Sequence, residues 1–412
     1  MRVIIVGGGF AGINLALSLA HNIKFQVTLV DKNSYNFFPP FLYQVASSFF
    51  EPSQISNPFL ELFSGKENLT FHKGKLERVI SAENKIILSD GSLEYDYLVL
   101  ATGTEANFFG IKNIENHALP IKTMEDAMAL RSRLMQQTEK VLKSKASEEV
   151  KKALTFVIAG GGSTGVEVAG MLANIKKDVL KYSYSGLQGT ACEIYLVQKD
   201  PVLLPLMPEI SRLDAYRYLH DLGVKILLNT HVKDFVNDEV LLSSGAVIHT
   251  ENLVWTAGTQ GRMLKGLPGN IYGTDNRILV DGYNKVVGTY NIFAIGDMCL
   301  ETDAPGYPDG HPQVAQVAIQ QGENLAKNFQ LMAEHRELEK FVYKDPGFSI
   351  ITGKMSAVMG WNRFNIHLAG KLAWFMNMIV HWRPMTRHTN RYKMFYYGVR
   401  SYLFKSQFFR RM

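Results

Sequence analysis

The stretch Arg2-Val3-Ile4-Ile5-Val6-Gly7-Gly8-Gly9-Phe10-Ala11-Gly12 decides the fold. Arg2 to Val6 predicts a buried strand, the glycines a turn, and Ile13 to Ala20 a helix. Val27-Thr28-Leu29-Val30 then predicts a second strand, closed by Asp31 and followed by Lys32. Each glycine answers a separate need. Gly7 permits the tight turn, Gly9 lets the backbone approach a pyrophosphate, and Gly12 lets helix and strand pack closely. The helix start, with Phe10 and Ala11, offers unpaired N–H groups to phosphate. Asp31 is placed to accept hydrogen bonds from a ribose, which favours an adenosine without a 2′-phosphate.

The pattern recurs. Leu154 to Ala159 reads as a strand, Gly160-Gly161-Gly162-Ser163-Thr164-Gly165 as a second glycine turn, and Val166 opens a helix. Gly7 is followed 84 residues on by the turn Ser89-Asp90-Gly91 and 96 residues on by Ala101-Thr102-Gly103. Gly160 is followed 85 residues on by Ser243-Ser244-Gly245 and 98 residues on by Thr256-Ala257-Gly258. A short strand precedes each landmark in both copies, so the chain holds two homologous nucleotide-binding units. The candidate cofactor contacts are Gly7, Gly9, Phe10, Ala11, Gly12, Asp31, Lys32, Thr102 and Gly103 in the first copy. In the second they are Gly160, Gly162, Thr164, Gly165, Gln198 and Gly258. Between the copies, Thr123-Met124-Glu125-Asp126 is a helix-start signal opening a structural connector.

Two dinucleotide sites imply two cofactors. The sensible pair is a tightly held flavin and an exchangeable nicotinamide, because a flavin takes a hydride and passes electrons on. Cys192 and Cys299 are the two cysteines; they are far apart and form no C-x-x-C, which removes a disulfide framework, a zinc ribbon and a dithiol redox pair. The histidines show no metal-ligand spacing, and no Ser/His/Asp constellation is evident, so no metal is expected. The N-terminus reads as neither a signal peptide nor a membrane span, and a cytoplasmic chain is expected.

The chain is similar, along nearly its whole length, to the type II NADH:quinone oxidoreductases, the single-subunit respiratory NADH dehydrogenases within the two-dinucleotide-binding flavoproteins. Three stretches carry the resemblance: Phe38-Pro39-Pro40-Phe41-Leu42-Tyr43-Gln44-Val45-Ala46, Gly160 to Glu167, and His311-Pro312-Gln313-Val314-Ala315-Gln316-Val317-Ala318-Ile319-Gln320-Gln321. The last contains the family's A-Q-x-x-x-Q quinone motif. The resemblance implies FAD in the first copy, NADH in the second, and quinone as acceptor. It places Gly296-Asp297 by the flavin's ribityl chain and Val317 and Ala318 at the flavin. It makes Glu167, Gln316 and Gln320 the catalytic candidates, with Glu167 near the nicotinamide. Pro312 suits the first turn of a helix. Gln316 and Gln320, four apart, share one face and bring amides without charge into an apolar tunnel. The helix start would put partial positive charge where negative charge develops on the flavin.

Two other readings stand beside this one. A sulfide:quinone oxidoreductase needs cysteines flanking the flavin, and Cys299 follows Asp297. A slow NADH-sensing flavoprotein would keep the fold without turnover. In the second copy the Ile194-Tyr195-Leu196-Val197 strand ends in Gln198 rather than an acid. NADH is therefore expected as the preferred donor with measurable NADPH use.

The formal net charge of +6 belongs to the tail. From Pro346 to Met412 there is no acid and there are eleven basic residues, leaving the remainder at −5. Lys371, Asn377 and His381 interrupt the apolar run Leu368 to Trp382, so no bilayer span is expected. Taken as a helix, Tyr392, Phe395, Val399, Tyr402, Leu403 and Phe409 share one face, with Lys393, Arg400 and Arg411 opposite. A basic, aromatic, amphipathic helix reads as lying in the interface of an anionic membrane; the alternatives are a helix packed on its own domain or a dimer partner, and a nucleic-acid arm, which would not need so many apolar residues. The expected fold is α/β, with two Rossmann-like domains plus this C-terminal membrane-binding region. The expected divisions are 1–112 and 259–335 for FAD, 113–258 for NAD(P)H, and 336–412 for the membrane. The expected protein is peripheral on the cytoplasmic side and draws on the membrane quinone pool, and the resemblance implies a homodimer.

Overall fold

In the computed structural model, the described residues are 1–143, 147–182, 193–273, 275–361 and 366–382. The amphipathic helix expected around 392–409 and Cys192 lie outside them. The architecture is α/β, and the chain packs as two units. One comprises Met1–Phe37, Ser56–Glu105 and Thr259–Pro346; the other comprises Phe38–Ile55, Ala106–Gly258 and Gly347–Met412.

The first unit is built on a five-stranded parallel sheet. Arg2–Val6 lies between Tyr97–Leu100 and Gln26–Asp31, with Ile292–Ala294 and Leu69–Lys73 at the edges. Alternation along Arg2–Val6 shows why the run is apolar throughout. Val3 and Ile5 pack with Leu15, Leu325 and Phe329 of the two covering helices, Phe10–Ser18 and Ala315–Ala333. Ile4 and Val6 point the other way, against Val79, Ile86 and Leu88 of an antiparallel three-stranded ribbon at residues 76–94. A strand buried on both faces must be apolar at every position.

The second unit repeats the plan. Phe156–Ala159 lies between Asn252–Trp255 and Ile194–Val197, with Leu119–Pro120 and Val224–Leu227 at the edges, all parallel. An antiparallel ribbon at residues 232–249 covers one face, as the 76–94 ribbon does in the first unit. Both sequence landmarks of the repeat therefore fall on matching elements. The Met124–Lys143 helix starts as its sequence signal requires: Asp126 N–H donates to Thr123 Oγ1 at 3.1 Å, and Thr123 N–H donates to Asp126 Oδ2 at 2.8 Å.

Three expected boundaries differ from the packing, and the one after 335 falls instead at Pro346. Phe38–Ile55, expected with the first copy, belongs to the second unit, and the division near 112 falls instead at Glu105. Each of these two differences follows from apolar packing that chain order does not reveal: Phe38, Phe41 and Phe50 form a ring cluster within the second unit, and Ala106, Phe108 and Ile111 pack against that unit's core. The tail joins that unit through the antiparallel strands Phe348–Gly353, Ser356–Trp361 and Ile366–Ala369, so the segment after 335 is not helical alone. No helix among the described residues is long and apolar enough to cross a membrane.

Candidate nucleotide and redox sites

The glycine turns show what each glycine is for. Gly7 has φ +111°, and a Cβ there would lie 2.2 Å from the Ala101 carbonyl oxygen. A Cβ on Gly12 would lie 2.0 Å from the Gly7 carbonyl oxygen. Around Gly9, by contrast, nothing lies within 4 Å. The first and third glycines are thus demanded by the protein's own backbone, and the second faces open space. The second unit matches position by position. Gly160 has φ +106° with Thr256 O at 2.6 Å, Gly165 would meet Gly160 O at 1.8 Å, and nothing is near Gly162. Neither following helix has an acid in its first turn, and Gly9 gives no side-chain cap, so the N–H groups there stay available to a phosphate.

Each strand-end residue ties the glycine loop. Asp31 Oδ2 accepts from Gly8 N–H at 2.7 Å and Oδ1 from Asn33 N–H at 2.8 Å; burial still pushes its pKa up. In the second unit, Gln198 Oε1 accepts from Gly161 N–H at 2.8 Å, and its amide nitrogen donates to Asp200 Oδ2 at 2.6 Å. Lys32 and Lys199 are exposed.

The first unit carries a second cluster at its sheet end. Gly296 adopts φ +76°, and a Cβ there would meet the Ala11 Cβ at 3.1 Å and that of Ala318 at 3.6 Å. Asp297 follows in the same turn, and Thr102 donates through N–H and Oγ1 to Met298 Sδ, at 3.0 and 3.3 Å. Gly103 follows Thr102 with φ +66°. The Ala315–Ala333 helix opens at Val314 with no side-chain cap and no acid, with Val317 and Ala318 buried. Pro312 precedes this helix instead of starting it, because its carbonyl accepts from Val314 N–H in a separate turn. Gln316 is part-buried. The Gln320 amide, expected to face a ligand, is engaged on both sides: it donates to Lys344 O at 2.9 Å and accepts from Lys344 N–H at 3.0 Å.

The sequence reading passed over Gln321. It is fully buried, accepts from Gly296 N–H at 2.7 Å, and touches Cys299 at 3.3 Å. Cys299 lies beside Asp297, as its position suggested, but burial pushes its thiol up to about 12. These residues line a small cleft together with Arg277, Glu301, His311, Pro312, Gln313 and Val317.

In the second unit, Glu167 lies on the Ser163–Tyr182 helix and accepts from Ile351 N–H at 3.4 Å. Burial of its carboxyl group raises the pKa from 4.5 to about 8, so it is protonated at neutral pH. Tyr43, also overlooked, is buried near Glu167; burial first and Glu167 second hold its phenol well above the usual range, and its hydroxyl oxygen accepts from the Gln44 amide at 2.7 Å. A Ser/His/Asp constellation, not evident from sequence, is present: His367 Nδ1 lies 3.0 Å from Ser211 Oγ, and Nε2 lies 2.8 Å from Asp214 Oδ2. Ser211 is fully buried, so no substrate reaches it, and the trio ties the Glu209–Asp221 helix to the Ile366–Ala369 strand. No cluster among the described residues has metal-ligand composition.

Residues 1–322 match the pyridine nucleotide-disulphide oxidoreductase family. The type II NADH:quinone oxidoreductase Ndh of Mycobacterium tuberculosis is 28% identical over 399 residues, covering 92% of this chain and 83% of that protein. The structure of NDH2 from Plasmodium falciparum in complex with NADH is similar with a TM-score of 0.90 at 20% identity, over 99% of both chains. The sulfide:quinone oxidoreductase of Aquifex aeolicus is similar with a TM-score of 0.76 at 19% identity, over 98% of this chain and 96% of that one.

Proposed function

This chain belongs to the pyridine nucleotide-disulphide oxidoreductase family, and from that premise we propose that it is a non-proton-pumping, type II NADH:quinone oxidoreductase. The observation that carries the reading is the pair of glycine cradles, each open at its second glycine, in a chain without a dithiol. Two nucleotides are bound, and the electrons leave to something other than a disulfide. Type II NADH:quinone oxidoreductases among the relatives supply the acceptor.

The first cradle fits FAD. Gly9 leaves room for the pyrophosphate, Asp31 lies at the ribose end, and Asp297 and the uncapped 315–333 helix start stand at the sheet end. A flavin held there would supply the hydride-accepting and electron-passing chemistry. The protein's contribution is positioning and electrostatics. Gly7, Gly9, Phe10, Ala11, Gly12, Lys32, Thr102, Gly103, Gly296, Val317 and Ala318 would hold the flavin. Gly160, Gly162, Thr164, Gly165, Gln198 and Gly258 hold the dinucleotide. Gln316 offers an uncharged amide to the acceptor, and Gln320 fixes the 344 segment beside it. Glu167, protonated at neutral pH, holds a proton that it can give or share.

Burial of Cys299 disfavours the sulfide reading, since the thiolate is the nucleophile in such chemistry. Alanine at Cys192 and Cys299 leaves NADH turnover intact on the proposal. Purified protein carrying a visible flavin spectrum should bleach with NADH and recover with a short-chain quinone. A flavin-loaded protein that bleaches and stays bleached for minutes with quinone present would favour the slow-sensor reading instead.

The membrane is read as the site of turnover, with the chain peripheral on the cytoplasmic side and drawing on its quinone pool. Leu372, Phe375, Ile379 and Val380 are exposed on the Gly370–Trp382 helix, within a tail that carries no acid. Apolar exposure beside positive charge suits an anionic lipid surface. Deleting 387–412 should release the protein from anionic vesicles with flavin still bound; unchanged vesicle binding counts against the membrane reading. Homodimer formation belongs to the same proposal and is checked by light scattering.

A further inference from the structure

Within the first unit, the cleft that holds Gly296 and Asp297 also holds a buried acid–base pair that the mechanism leaves unused. His311 Nε2 lies 3.3 Å from Glu301 Oε2, and both side chains are more than nine-tenths buried. Both His311 ring nitrogens and Glu301 Oε2 line the cleft without a hydrogen-bond partner. A buried polar atom without a partner costs free energy, so such a trio is kept for something besides stability.

The surroundings fix the ring and leave its charge free to change. Tyr307, Phe341 and Tyr343 surround it, with ring centres at 4.8, 5.0 and 6.2 Å. The charged and titratable groups around it are few. Arg277 is paired with Asp275 and donates to the Asp309 carbonyl at 3.2 Å. Cys299 is neutral, and burial with Asp345 nearby keeps the Tyr343 phenol protonated. The Lys340 stem runs beside Gly282 next to Glu301 Oε1. Glu301 and Asp297 are the carboxyl groups lining the cleft.

We propose that His311 and Glu301 form a redox-linked proton site. His311 binds one proton from solvent when negative charge arrives with a hydride, and surrenders it when the electrons leave. The inference rests on the flavin reading above. The overall reaction, NADH plus H⁺ plus quinone giving NAD⁺ and quinol, needs one proton beyond the hydrogen carried by the hydride. Hydride transfer breaks the C–H bond of the dinucleotide and its electron pair stays with the reduced protein, while His311, 3.3 Å from Glu301, would hold the solvent proton. Two electrons and two protons then leave together. Binding a proton and gaining an electron pair favour each other reciprocally, so the site also raises the reduction potential as pH falls.

The experiment counts protons, not turnover. Flavin-loaded protein is mixed anaerobically with one equivalent of NADH in weak buffer near neutral pH containing an indicator dye. Hydride transfer alone takes up no proton. The wild type should take up on the order of one per flavin, His311→Gln near zero, and Glu301→Gln an intermediate number. Potentiometry gives a second readout. The midpoint potential should fall about 30 mV more steeply per pH unit in the wild type than in His311→Gln, the equivalent of a tenfold change for a two-electron couple. A wild type that bleaches with NADH and takes up no proton overturns the inference and leaves the flavin reading standing. So does wild-type uptake in His311→Gln or in Glu301→Gln. If His311→Gln loses flavin, the wild-type and Glu301→Gln counts decide. A protein that binds no flavin removes both readings at once.

Discussion

The two nucleotide cradles share a backbone and differ at two side chains. Gly7 and Gly160, Gly9 and Gly162, and Gly12 and Gly165 meet the same constraints within a few tenths of an ångström. At the strand end, however, one carboxylate in the first unit both ties the glycine loop and supplies charge. In the second unit the Gln198 amide ties the loop and Asp200 supplies the charge. Two residues past the third glycine, the first unit has Asn14, whose amide donates to its own helix at Phe10 O, 2.7 Å away. The second has Glu167, with its pKa at about 8. Backbone sterics thus fix the loop, while side chains set what differs between the two cradles at these two positions.

The largest expected effects come from breaking the shared part. Gly165→Ala places a Cβ 1.8 Å from the Gly160 carbonyl oxygen, and Gly12→Ala one 2.0 Å from Gly7 O. Overpacking of this kind costs about 1–3 kcal/mol or more. Gly12→Ala should yield colourless protein, whereas Gly165→Ala should keep its flavin spectrum and lose bleaching by NADH. Gly162→Ala separates cause from consequence: with nothing within 4 Å, thermal stability should hold while the NADH Michaelis constant rises. Equal stability losses for Gly162→Ala and Gly165→Ala would break the comparison.

The same contrast explains what could be read from residues alone. Glycine turns, the repeat and the Thr123–Asp126 helix start are local, and each residue type is forced by geometry within a few positions. Tyr43 with Glu167 depends on distant segments meeting, and Gln321 and the His311–Glu301 pair on how intervening loop turns fold back, so no spacing announces them. Gln320 shows the converse. Its spacing from Gln316 is that of a shared helix face, yet the Lys344 backbone takes its amide. Likewise Ser211, Asp214 and His367 come together through the fold, since more than 150 residues separate His367 from the other two.

A smaller effect is expected from Glu167, and it is a pH effect. Its folded pKa is raised, so below about pH 4.5 the group is protonated in folded and unfolded chains alike. Between that value and about 8 the unfolded chain releases a proton that the folded chain keeps. Stability therefore falls as pH rises through this window and levels off above it, with a slope of at most about 1.4 kcal/mol per unit. The residue is partly open to solvent, which reduces that slope. Glu167→Gln should flatten the loss of Tm between pH 5.5 and pH 8, and Asn14→Asp in the other unit should not reproduce the wild-type slope. A wild type whose Tm is the same at both ends of that range would show that the carboxyl is not held neutral.

The smallest and most specific effect concerns the choice between NADH and NADPH. Gln198 alone carries no charge against a 2′-phosphate, but its amide holds the Asp200 carboxylate at 2.6 Å. Lys199 is exposed, so the cation does not offset the acid from within the cradle. NADH should be preferred, and Asp200→Asn should raise kcat/KM for NADPH relative to NADH by about tenfold, or about 1.4 kcal/mol. The loop should stay tied, because the Gln198 to Gly161 bond does not involve Asp200. Gln198→Glu brings two carboxylates into contact. Like charges so close keep one of them protonated, so the net charge changes little. That substitution should suppress NADPH more than NADH, but only by about two- to threefold. An unchanged donor ratio in Asp200→Asn would remove the acid from the 2′ position, and a larger effect from Gln198→Glu would return the discriminating role to the strand end, as in the first cradle.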